Sequence, residues 1–310
     1  MLKKNVFLSW MALFAVFALN FTACGDDESF IAKPQDGEKS CSSHNGAGSS
    51  SSGAQVTGCE TCEFDKLKDD RDGQTYRTVK IGDQWWMAEN LNYAYLEPTE
   101  TLDSSSFCYD NDPENCKQYG RLYVFSAAMD SAGLFSSDAE GCGDGSECPF
   151  DHIVPKIYKG YSDTASSLEH PIRGVCPEGW HVPTVDEFVI LFESVGGQND
   201  EKEYWTWENL DLRSTSGWSE ISGEDFNGTD SFGFSAYPAG EWYKPSNLDY
   251  PIFSSLGKEA QFFTASTKHP NVSGHGSVHI MEIWRTKNKN GAEFNFYWKN
   301  SAQSVRCVKD

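Results

Sequence analysis

The sequence predicts an α+β domain with short antiparallel strands, and three observations predict it. Helical periodicity is confined to two segments, both ahead of Gly197, and the second opens on a capping box. After Gly197 the chain becomes a series of short runs with strand character, separated by polar loops. The steady strand–helix alternation of a parallel sheet is missing, as is any phosphate-loop glycine pattern.

The chain of 310 residues starts with an address. Lys3 and Lys4 precede an apolar run from Val6 to Phe21, broken only by Ser9 and Asn20. That is a charged n-region followed by an h-region, too short for a comfortable span of about 20 apolar residues. Phe21-Thr22-Ala23-Cys24 resembles the bacterial lipobox, so residues 1–23 are expected to be a lipoprotein signal peptide and Cys24 the lipid attachment point. Asp26, Asp27 and Glu28 resemble the acidic export signals of some outer-membrane lipoproteins, from which an outer-membrane or cell-surface location is expected; the alternative is a polar start to a linker. Residues 24–58 then read as a disordered Ser/Gly-rich tether, with Ser49 to Ser52 in a row. A linker of about 30 residues has an end-to-end distance of roughly 30 Å, enough to hold a domain clear of lipid headgroups.

The folded region is expected over residues 59–310. Thr75–Ile81 and Gln84–Ala88 predict a hairpin turned by Gly82-Asp83. Tyr123–Phe135 has apolar residues at helical spacing and predicts a first helix. Thr184-Val-Asp-Glu187 is the capping box of a second helix, with Phe188, Leu191, Phe192 and Val195 on one face and Gly196-Gly197 as its stop. Strands are predicted at Phe232–Tyr237, Gln261–Thr267, His279–Thr286, Glu293–Lys299 and Gln303–Val308.

With 46 acidic and 25 basic residues the net charge is −21, which repels phosphate backbones and argues against nucleic acid as a partner. Ten cysteines behind a secretory start indicate an oxidising compartment. Spacing suggests Cys108–Cys116 and Cys142–Cys148 as local bridges, which leaves Cys176 and Cys307 as a long-range pair. Cys59 and Cys62 are read as structural, bridged to each other or to Cys41.

Several segments together resemble the Fibrobacter succinogenes major paralogous domain, a family of bacterial surface lipoproteins. They are Asp72–Gly82, Gln84–Tyr93, Tyr119–Tyr123, Val175–Thr184 and Ser304–Asp310. The resemblance implies an extracytoplasmic domain and offers no catalytic residues. Cys176-Pro-Glu-Gly-Trp180 with Cys307 also looks like the C-type-lectin-like fold, in which a late disulfide pins the final strand. Trp180 to Phe188 is similar to a segment of formylglycine-generating-enzyme-like domains. Those enzymes use a pair of active-site cysteines, and no late pair exists here.

Catalytic patterns are absent from the sequence. No His-Glu-x-x-His or Gly-x-Ser-x-Gly occurs, and Gly274 and Gly276 beside His275 and His279 argue against a metal-binding helix. No catalytic or metal residues are assigned and no cofactor is expected; calcium is the one ion considered, at the acidic loop Tyr109–Cys116. Trp205, Trp207, Trp242 and Tyr243 lie in polar contexts and are the candidate ligand-binding residues, because an aromatic face stacks on a sugar ring or a protein partner; the alternative is that they fill the core. The expected function is a lipid-anchored binding or adhesion module for extracellular polysaccharide or a surface protein. The competing readings are a formylglycine-generating-type oxidoreductase and a purely structural envelope protein.

Overall fold

A computed structural model describes residues 62–95, 106–151, 155, 157, 171–199, 204–207, 212–220, 223–245, 247, 248, 250–267, 276–285 and 290–310. The expected signal peptide, Cys24, the tether, Cys41, Cys59 and His275 lie outside them.

Along the chain, β1 (Glu63–Lys68), β2 (Thr75–Ile81), β3 (Gln84–Met87) and β4 (Ser106–Phe107) come first. α1 (Pro113–Tyr119), β5 (Leu122–Val124), α2 (Phe125–Ala128), β6 (Trp180–His181) and α3 (Val185–Ser194) follow. The remainder is strand: β7 (Gln198–Asn199), β8 (Tyr204–Trp207), β9 (Glu241–Tyr243), β10 (Ile252–Ser254), β11 (Glu259–Phe263), β12 (Ser277–Arg285), β13 (Asn290–Trp298), β14 (Ala302–Ser304) and β15 (Val308–Lys309). This is a strand-rich α+β architecture.

A small sheet runs in the order β1-β2-β3-β15-β6, so the C-terminal strand sits between two elements from the first two thirds of the chain. A large sheet runs β10-β9-β14-β11-β12-β13-β8-β7, with β5 and then β4 attached to β14. All pairings are antiparallel except β11 with β14. Apolar residues cover both sides of the large sheet. Phe263, Val278 and Ile280 join one cluster with Phe125, Tyr123 and Trp242. Phe262, Met281, Ile283 and Phe294 join the other with Phe188, Leu191 and Phe192 of α3.

The hairpin and α3 form where the sequence places them. Thr184 accepts from the backbone N–H of Glu187, and the Glu187 carboxylate accepts from the Thr184 backbone, which completes the capping box. The segment read as a first helix does not form one. Its start is β5, only Phe125–Ala128 is helical, and the chain then turns at Asp130 (φ 55°). The reason is the Asp130 carboxylate, wholly buried, which accepts from the backbone N–H groups of Leu134, Phe135 and Ser136 and from the Tyr95 hydroxyl. The apolar spacing there reflects burial on every side rather than one helical face.

Phe232–Tyr237 is likewise not a strand. Asp230 holds the Ser235 backbone N–H at 2.6 Å, Ser235 takes φ 51°, and a single bridge from Arg213 to Ala236 remains. Gln303–Val308 supplies β14 to the large sheet and β15 to the small one, crossing between them at Val305–Cys307. In the acidic loop, Asp112 caps the unpredicted α1 by accepting from the Glu114 N–H, Pro113 occupies its first turn, and Gly120 (φ 76°) ends it.

Three disulfides join cysteines that both lie among the described residues: Cys108–Cys116, Cys142–Cys148 and Cys176–Cys307, all as the spacing suggests. The last encloses the largest loop and pins the crossing segment beside β15; in the chain-entropy model such a bridge contributes about 4–5 kcal/mol.

Candidate ligand-binding face of the large sheet

The aromatic residues singled out in the sequence are mostly core. Trp205 and Trp207 share one face of β8 because side chains alternate along a strand, and that face is covered by α3. Their rings sit 5.5 and 5.4 Å from Phe192, and both are buried. Trp242 stacks on Phe107 at 4.7 Å with an interplanar angle of 14°, also buried. Tyr243 is half-buried on β9. The ligand-binding assignment of the three tryptophans is therefore corrected: their faces are spent on neighbouring side chains.

A polar tract takes their place as the candidate site. Along one face of β12 the apolar residues Val278 and Ile280 give way to Glu282 and then Trp284; along β11, Phe263 gives way to Gln261 and Glu259. Register sets these side by side, with Gln261 opposite Glu282 and Glu282 opposite Glu293, and Glu259 opposite Trp284 and Trp284 opposite Gly291. Asn295 and Tyr297 continue the same face of β13, and β14 and β9 add Gln303 and Glu241 beside it. Gly291 is required by a close approach: a Cβ there would lie 2.6 Å from the Trp284 ring.

The hydrogen bonds of the tract are incomplete. Gln261 Nε2 donates to Glu259 (3.4 Å) and to the Tyr297 hydroxyl (3.3 Å); Gln303 Nε2 donates to Glu241 (3.4 Å) and Ser301 (3.4 Å). Asn295 Nδ2 donates to Glu282 (2.9 Å) and Glu293 (3.0 Å). Gln261 Oε1, Gln303 Oε1 and Trp284 Nε1 are buried without a hydrogen-bond partner among the described residues, although both glutamines are wholly buried. Leaving such a group unmade costs about 1–3 kcal/mol.

Burial pushes the Glu282 carboxyl up to about 7, helped by the neighbouring charges of Glu259 and Glu293. Burial likewise raises Glu241, and it raises the Tyr297 hydroxyl, which the charges of Glu241 and Glu282 also push up. Among the described residues none of these carboxylates has a Lys or Arg partner. Perturbed acids gathered on one face make this tract the candidate site, although buried polar atoms without partners among the described residues also occur at Asn92, Arg121, Ser126, Trp205, Trp207 and Arg306.

The sequence from 79 to 309 matches the model of the Fibrobacter succinogenes major domain. The chain belongs to that family. Comparison with curated proteins and with solved structures returns no match. The family match spans β3 to β15, so it includes every strand that contributes to the tract.

Other chemistry considered in the sequence finds less support. Every described cysteine is in a disulfide, including Cys62, whose partner lies outside the described residues. Among the described residues no group of three His, Cys, Asp or Glu side chains is placed to hold a metal ion. In the loop considered for calcium, Asp112 serves as a helix cap and Glu114 pairs with Lys117. His279 is buried with Nδ1 3.0 Å from the Ser266 carbonyl.

Sequence reasoning found the strands of the tract and none of its residues as a site. The available signal was alternation: Glu293, Asn295 and Tyr297 share a face opposite to Phe294 and Phe296, and Glu282 breaks an otherwise apolar run in β12. That pattern is shared by any half-solvated strand. Only the register that brings Gln261, Glu282 and Glu293 into one row distinguishes it.

Proposed function

We propose that this chain is a lipid-anchored binding module of the cell surface, with a C-type-lectin-like fold, and that it engages an extracellular polymer through the polar face of its large sheet. The single observation that carries the reading is the row of carboxylates Glu259, Glu282 and Glu293, without a Lys or Arg partner among the described residues, beside the half-buried Trp284 and Tyr297. Gathering carboxylates without counter-charges is costly, and a ligand that answers them accounts for their presence. The lipobox-like Phe21–Cys24 supports the anchor, and the Ser/Gly-rich stretch behind it supports display at a distance. The Cys176–Cys307 bridge beside the final strand supports the lectin-like comparison.

The test is retention of the full chain, in detergent, on a glycan array, on insoluble polysaccharides and on blotted surface proteins, with and without calcium. The expected result is a ligand whose retention falls when Glu282 and Gln303 are replaced by Gln and Leu. Retention that ignores those substitutions, or no retention by any surface, overturns the reading.

A further inference from the structure

We propose that His181 is a proton-operated latch for the C-terminal strand: protonated, it ties β15 to α3; neutral, it releases Asp310 and lets Val308–Asp310 open more often from between β3 and β6. The inference is independent of the binding-face reading and concerns local opening rather than global unfolding.

The argument is a count of donors at one ring. Nδ1 of the buried His181 lies 2.7 Å from Asp310 Oδ1, and Nε2 lies 2.7 Å from Glu187 Oε1. An imidazolium has two N–H groups and answers both carboxylates; a neutral imidazole has one and turns a lone pair towards the other acid. Loss of the proton therefore breaks one of two charge-assisted hydrogen bonds. The two acids compete unequally for the N–H that remains. Glu187 is fixed by the capping box, with its second oxygen accepting from the Thr184 backbone N–H (2.7 Å) and hydroxyl (2.8 Å). Asp310 has half of its side chain in water and takes no other hydrogen bond among the described residues. Asp310 is the one that leaves.

The charges around the ring agree with that order. Glu187 reaches it from α3 and Asp310 from β15, and both favour the protonated form against burial. Asp186, beside Glu187 in the first turn of α3, adds further negative charge. Lys309 is exposed and alternates to the opposite face of β15 from Asp310, and β3 brings no ionisable group. Little else holds the strand. Val308 pairs with Trp86 and His181, Lys309 pairs with Trp180, and the Asp310 N–H donates to the Gly179 carbonyl. Burial of Val308 keeps the segment seated most of the time, so the latch acts on how often it opens. The opening stops at Cys307, which is bridged to Cys176 and whose carbonyl accepts from the Met87 N–H.

Amide hydrogen exchange of the full chain in detergent tests the proposal, in a series from about pH 5 to about pH 9 with exchange times scaled to the intrinsic rate. Opening of Val308–Asp310 relative to β12 is expected to rise about tenfold in a single step above 6.5, the share of one charge-assisted hydrogen bond. Two substitutions should remove the step from opposite ends. His181→Gln, which never carries the charge, should hold the segment at its open, alkaline level throughout. Asp310→Asn, whose amide donates to a neutral ring nitrogen and whose oxygen accepts from an N–H, should hold it at the closed level. Asp310→Asn alters a half-exposed side chain and serves if His181→Gln does not fold. No step in the wild type, a rise shared equally by β12, or a step that persists in Asp310→Asn overturns the inference.

Discussion

His181 and Glu282 are both buried ionisable side chains on β-strands, and their surroundings differ in one respect. His181 on β6 lies between two carboxylates, Glu187 and Asp310, each at 2.7 Å. Burial opposes its charge, yet the hydrogen bonds and charges of those two acids outweigh it and raise its pKa above the ordinary 6.5. The same contact lowers Glu187, against a burial that would raise it. Asp130 is treated similarly, with four donors for one carboxylate. Glu282 receives Asn295 and Gln261 and otherwise faces further acids, and burial drives it to about 7. His181 and Asp130 are answered within the chain, whereas Glu282 has no counter-charge among the described residues, and that contrast of charges marks the candidate site.

Four measurements break or sharpen this contrast. Asp130→Ala should cost most, about 3–5 kcal/mol in urea unfolding, since it orphans the donors that this buried carboxylate gathers around the turn. A loss below about 1 kcal/mol would remove Asp130 from the set of fold-serving groups. His181→Phe should cost about 3 kcal/mol near pH 6, because it strands Glu187 and Asp310 against an apolar ring. Because the folded-state pKa of His181 is raised, its stabilisation is complete below 6.5 and disappears as pH rises through the higher folded value. Glu187, lowered, stabilises above 4.5 and loses that effect as pH falls through its folded value. Melting curves of wild type and variant should therefore converge on the alkaline side of pH 6.5; parallel curves would contradict the clamp.

Glu282→Gln should act in the opposite sense. With a folded value near 7 against 4.5, the carboxyl destabilises the native state increasingly as pH climbs through that window, and fully above it. The amide should raise stability by about 1–3 kcal/mol at pH 8 and leave it unchanged below pH 4.5. A destabilised variant at pH 8 would mean that the carboxylate is answered after all. The smallest effect is expected for Gln303→Leu, within about 1 kcal/mol by thermal melting, because the change removes an unsatisfied acceptor as well as two long hydrogen bonds. A loss of several kcal/mol would make Gln303 a structural residue.

Local chemistry carried the readings that succeeded. The α3 capping box, the Gly82-Asp83 turn and the cysteine spacings each involve residues a few positions apart, or the cysteines left over when close pairs are taken. The readings that failed depended on partners far along the chain. Helical spacing at Tyr123–Phe135 came from burial against both sheets' connections, and the prominence of Trp205, Trp207 and Trp242 said nothing of Phe192 or Phe107, which cover them. The tract was illegible for the same reason: Gln261, Glu282, Glu293 and Gln303 belong to four strands, and nothing local to any of them signals the others.

By itself the sequence determined the α+β class, the position of α3, the hairpin, the covalent staples and the family, because capping, turns, alternation and cysteine spacing are short-range properties of the chain. Only the tertiary structure decided which polar residues are satisfied and which are left open. Strand register and the crossing of Val305–Cys307 between the sheets set those neighbours, and register is fixed by packing over the whole domain rather than by any one segment.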